Sequence, residues 1–142
     1  MVAAEFAMRL GQHVRKHGLG RTFAAETGFL LARNPDTVLA PDASFVRADR
    51  MVSVCAEGYF PGAPDFAVEV RSPDDSEREL AAKAQRWLAF GCRMVVTVDP
   101  ETHSAIAYQH GAPPVPVPEH GTIDANEVVH GFTLRLDELF TG

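Results

Sequence analysis

The chain has 142 residues, 46% of them apolar and 23% charged, which supports one sizeable core, reads as a single domain over residues 1–142, and gives no basis for disorder. A net charge of −6 and a pI near 5.4 weigh against a protein that grips nucleic acid by bulk charge alone, but not against one whose acids are offset by a bound cation. No run of about 18 apolar residues could span a membrane, and the N-terminus lacks the segments of a signal peptide, so the expectation is a cytoplasmic protein.

Residues 2–17 are expected to be helical, because Ala3, Phe6, Ala7, Leu10 and Val14 recur at helical spacing and Gly18 and Gly20 end the run. The stretch RTFAAETGFLLAR predicts a hairpin turning near Thr27-Gly28, and NPDT predicts a turn. PDASFVRA then reads as a strand with Asp42, Ser44 and Val46 on one face and Ala43 and Phe45 on the other. After a loop from Gly58 to Pro64 comes a strand over 65–71. Asp65, Ala67, Glu69 and Arg71 share one of its faces, and Phe66, Val68 and Val70 share the other. Ser76 and Glu79 form a capping box that opens a helix running to Phe90, with Gly91 as its stop. RMVVTV is almost wholly apolar, as in a central strand covered on both faces, and SAIAYQ continues the sheet. PPVPVPEHG predicts a stiff surface segment, and GFTLRLDELF a closing strand with a short helical turn. This order predicts a mixed α/β sheet with flanking helices. Cys55 and Cys92 have neither metal nor redox spacing and read as ordinary reduced thiols.

Glu69 poses the chemical question. A carboxylate in the middle of a buriable strand is costly unless something compensates it. Salt bridges to Arg71 or Lys83 would suffice, and Asp42, after Pro41, would then only cap a turn. Yet Lys83 falls inside the arc of Leu80, Ala84, Trp87 and Leu88, the stripe that should cover the sheet. It either snorkels at that edge or reaches the cluster of Glu69. Two acids on neighbouring strands with a lysine above them suit Mg²⁺ when a phosphate completes its shell. Glu26 and Asp65 are expected to border the cluster, and Glu5 lies beside its helix's apolar stripe. His13 and His17 have the i, i+4 spacing of a zinc pair but lack the metalloprotease glutamate, and Asp99 before Pro100 reads as a turn residue.

The segments PD at 41–42, PDFAVEVRSP, ELAAKAQRW and GCRMVVTVDPE resemble the Uma-type family of restriction endonucleases, a branch of the PD-(D/E)XK nuclease superfamily, from about residue 20 to the end. The resemblance implies a helix, a three-stranded antiparallel meander, a second helix and a further strand pairing with the first. It implies that Asp42 and Glu69 are the two acids, that Arg71 occupies the usual lysine position, and that Lys83 carries the displaced lysine. It also implies an additional segment ahead of the first helix in family members. The expectation is a DNA endonuclease using Mg²⁺, with Mn²⁺ as substitute. Asp42, Glu69 and the Val70 carbonyl would be ligands, Lys83 would assist the attacking water, and Arg71 would contact phosphate. A homodimer cutting both strands is expected. The rivals are an inert module whose acids are neutralised by Arg71, and a hydrolase of RNA or another phosphoester.

Overall fold

The computed structural model describes residues 1–51 and 58–141, so Cys55 lies outside the described residues. Helix α1 (Val2–His17) buries Phe6, Leu10 and Val14, and Gly18 closes it in the left-handed region at φ 61°, where a side chain would be strained. There follow β1 (Gly20–Ala24), β2 (Phe29–Ala32), β3 (Thr37–Leu39), β4 (Ala43–Arg47), β5 (Phe60–Pro61) and β6 (Phe66–Val70). Helix α2 (Glu77–Ala89) leads to β7 (Met94–Asp99), β8 (Ser104–Gln109), β9 (Val115–Val117), β10 (Thr122–Asp124) and β11 (Thr133–Arg135), and a 3-10 turn (Leu136–Leu139) follows.

The main sheet has six strands in the order β1-β4-β6-β7-β8-β9. β1, β4 and β6 form the expected antiparallel trio. α2 then carries the chain over the sheet so that β7 joins β6 in parallel. This corrects the expected pairing of the post-helix strand with the first. All six residues of β7 are buried, because helices cover both faces of the sheet. On one face α1 packs Phe6 and Leu10 against Phe45, Phe66 and Val96. On the other, Ala84, Trp87 and Leu88 of α2 meet Val46, Ala67 and Val95.

Two further expectations are corrected. RTFAAETGFLLAR is not a hairpin: β1 pairs with β4, whereas β2 pairs with β3 and β5 in a separate small sheet. The cause is Phe29, fully buried in the α2-side core, edge-on to Trp87 and tilted against Phe60. PPVPVPEHG supplies an edge strand, β9, whose Pro116 is tolerated because, among the described residues, β9 pairs on one side only. Cys92 is a buried free thiol pushed up to about 12 by burial, which makes it unreactive.

Candidate active site

Strand alternation and register bring the two acids together. Ala43 stands opposite Val68 and Ser44 opposite Ala67, so Asp42 and Glu69 project from the same, α2-side face of neighbouring strands. Asp42 Oδ2 accepts the Val70 backbone N–H at 2.7 Å, and the Asp42 N–H donates to the Val68 carbonyl at 3.0 Å. The side chain thus extends the ladder and is fixed by it.

Glu69 is 9% exposed, and its Oε2 accepts the indole N–H of Trp87 at 2.7 Å. Among the described residues no cation makes an ion pair with it. Burial raises its carboxyl from 4.5 to about 7. The Trp87 hydrogen bond and the charge of Lys83 hold it down, while Asp42 and Asp75 push it up. The sequence suggested a charged partner for Glu69, and the structure supplies a neutral donor instead. Trp87 had been legible only as apolar, although its N–H needs an acceptor when the ring is buried.

The expected cations lie nearby but are engaged elsewhere. Lys83 Nζ lies 3.3 Å from Asp75 Oδ2 with its side chain half exposed. The backbone N–H of Ser72 and then its hydroxyl, together with Lys83, hold the Asp75 carboxyl below its ordinary value. Arg71 reaches Glu101 at 2.8 Å and Asp99 at 3.4 Å, so its guanidinium does not neutralise Glu69. Asp99 has the turn role expected of it, accepting the Glu101 N–H at 2.9 Å. Its loop and the first turn of α2 flank a cleft of about 350 Å³ lined by Leu80, Thr97, Ile106 and Tyr108. Thr97 stands opposite Glu69, so the cleft adjoins Glu69.

Other expected members stand apart. Asp65 shares the face of Glu69 but lies four residues away, roughly 13 Å along the strand. There it accepts the Arg47 N–H at 2.8 Å and pairs with Arg50 at 3.0 Å, a buried structural ion pair. Glu26 is exposed in the segment between β1 and β2 instead of pointing inward. Glu5 pairs with Arg9, which also holds Glu138. His13 contacts the His130 carbonyl through Nε2. Among the described residues no three His, Cys, Asp or Glu side chains converge as a metal cage. Two carboxylates and a main-chain carbonyl are a donor set for Mg²⁺, which keeps several waters and takes substrate oxygens, and not for a closed zinc site.

A mixed sheet flanked by one helix on each face, with two acids meeting on adjacent strands at one end, defines an α/β protein of the restriction-endonuclease-like class. A solved structure described as "a putative nuclease belonging to DUF820" from Anabaena variabilis superposes with a TM-score of 0.82 at 20% identity, covering 98% of this chain and 78% of that one. A DrdV–DNA complex gives a TM-score of 0.46 at 17% identity over 96% of this chain and 78% of that one. No curated protein sequence matches. The chain belongs to the Uma2 family, described as "Putative restriction endonuclease", which matches residues 2–137. The match therefore takes in α1 as well as the region from residue 20 onward.

Proposed function

We propose that this protein is a divalent-metal-dependent endonuclease that hydrolyses DNA phosphodiester bonds, with Asp42, Glu69 and the Val70 carbonyl holding Mg²⁺ or Mn²⁺. One observation carries the reading: Glu69 is a buried acid beside a second acid, and the two basic side chains expected to pair with it, Lys83 and Arg71, are committed to Asp75, Asp99 and Glu101. A cation at this point would compensate a buried charge that no ion pair among the described residues satisfies.

The bound ion would supply positive charge where negative charge develops on the phosphoryl group. Asp42 is held by the Val70 N–H through Oδ2, which leaves Oδ1 for a metal ion. Trp87 fixes Glu69 in the same way through Oε2, so both acids are oriented before substrate arrives. Lys83, on its Asp75 anchor, is suited to holding a water or the developing phosphoryl charge. Arg71 keeps its proton and so serves as a phosphate contact at the rim, not as a base. Two copies acting together would cut both strands, an assembly that light scattering tests.

The experiment is a paired one: cleavage of duplex DNA and of RNA with Mg²⁺ or Mn²⁺, and a metal-dependent rise in melting temperature, both measured for the native chain and for Asp42→Asn. The reading requires metal-dependent DNA cleavage in the native chain and its loss, together with the melting shift, in the variant.

A further inference from the structure

The net charge of −6 is unevenly distributed. Residues 6–25 contain four Lys or Arg and no Asp or Glu. Arg9 is engaged by Glu5 and Glu138, whereas Arg15, Lys16 and Arg21 are exposed and, among the described residues, unpaired with any carboxylate. These three line two adjoining depressions of about 510 and 360 Å³ between the C-terminal half of α1 and β1. The depressions share Gly11, Arg15 and Thr22, and no acidic side chain lines either of them. Gly11 keeps the groove open, since a Cβ there would stand 3.2 Å from Thr22 Oγ1.

The groove is also connected to the acids. Among the described residues β1 is an edge strand, bonded in the sheet only to β4. Thr22 stands opposite Phe45 and faces α1, while Arg21 stands opposite Val46 and shares the face of Asp42 and Glu69. The cations therefore wrap around the sheet edge from one face to the other. At the far end of β1, Ala24 stands opposite Ala43, the neighbour of Asp42. Three residues of strand span roughly 10 Å and one strand spacing adds about 5 Å. Arg21 thus stands within about half a turn of B-form duplex from the acid pair, and Arg15 and Lys16 lie beyond it on the α1 side of the sheet edge.

We propose that this groove between α1 and β1 binds the phosphate backbone of the nucleic acid whose neighbouring segment occupies the acid pair, with Arg15, Lys16 and Arg21 as the contacts. The inference rests on the nuclease reading and adds a second, non-reacting contact to it. Each neutralised phosphate releases counterions and contributes about 0.9 to the slope of log affinity against log salt, so three contacts contribute roughly 2–3.

The test is the fluorescence anisotropy of a labelled duplex in EDTA, measured over roughly 50–200 mM salt, for the native chain, for Arg15→Ala/Lys16→Ala/Arg21→Ala and for Arg15→Lys/Arg21→Lys. The alanine variant should bind at least about tenfold more weakly with a slope smaller by about 2–3, and the lysine variant should keep the native slope. An unchanged slope in the alanine variant overturns the groove and leaves the nuclease reading standing. Absence of duplex binding by the native chain, or a preference for anionic phospholipid vesicles that the alanine variant loses, also overturns it. The Mn²⁺-dependent melting shift, read in parallel on all three proteins, reports the acid pair and the integrity of the fold separately.

Discussion

Replacing Glu69 with Gln should stabilise the protein at alkaline pH and leave it nearly unchanged in acid. The glutamine keeps an oxygen for the Trp87 indole and removes the buried charge. In the folded chain the Glu69 carboxyl titrates at about 7, against an ordinary 4.5, chiefly because it is buried. The folded state therefore holds this proton more tightly than the unfolded state. Stability from the group is complete below 4.5 and is lost as pH rises through 7. The displacement corresponds to roughly 3 kcal/mol. In urea, with a slope of about 1–3 kcal/mol per molar, the variant should unfold about 1–3 M later than the native chain at pH 8 and at nearly the same midpoint at pH 4.5. Circular dichroism across that range measures the difference directly, and adding Mn²⁺ at pH 8 should close the gap by stabilising only the native chain. A difference that does not vary with pH, or a Gln variant that is less stable at pH 8, would refute the reasoning. The first result would mean that the carboxyl titrates alike in the folded and unfolded chain, and the second that a cation already compensates Glu69 within the folded protein.

Trp87→Phe keeps the ring but removes the indole donor to Glu69. It should cost about 1.5–3 kcal/mol at pH 8, where the acceptor is charged, weaken Mn²⁺ binding about 10–100-fold, and move the Glu69 transition to higher pH, all readable from melting curves across pH and metal concentration. Asp65→Asn supplies the contrast, because this buried acid has Arg50 at 3.0 Å and the Arg47 N–H at 2.8 Å. It should destabilise the fold by about 3 kcal/mol at pH 7 and leave the Mn²⁺-dependent melting shift in place; loss of that shift would place Asp65 in the metal site after all.

Features with local causes were legible in the sequence. The apolar repeat and Gly18 mark α1, and the Ser76–Glu79 capping box is present in full at the start of α2. The stripe of Leu80, Ala84, Trp87 and Leu88 is the buried face of that helix. Alternation placed Asp42 with Ser44 and Glu69 with Ala67 because a strand's period is two, but the register that brings those two faces together is set by the pairing of β4 with β6. The same alternation cannot tell one end of a strand from the other, which is why Asp65 was grouped with Glu69. The Thr27-Gly28 turn signal was outweighed by distant packing, since Phe29 is buried against Phe60 and Trp87. Helical angle set Lys83 inside the apolar arc, but its side chain is half exposed and its ammonium pairs with Asp75, just ahead of the N-cap. Trp87 was missed because an apolar stripe accounts for its ring and ignores its N–H. A buried carboxylate facing a helix that carries a tryptophan is the signal that would have found it.

The most direct measurement is duplex DNA cleavage by the native chain and by Asp42→Asn and Glu69→Gln, with Mn²⁺ titrated from zero and with EDTA as control. The account predicts that the native chain cuts only with metal and that either substitution lowers the rate by at least about a hundredfold in a still-folded protein. Cleavage that persists in EDTA, or variants that cut as fast as the native chain, would contradict it.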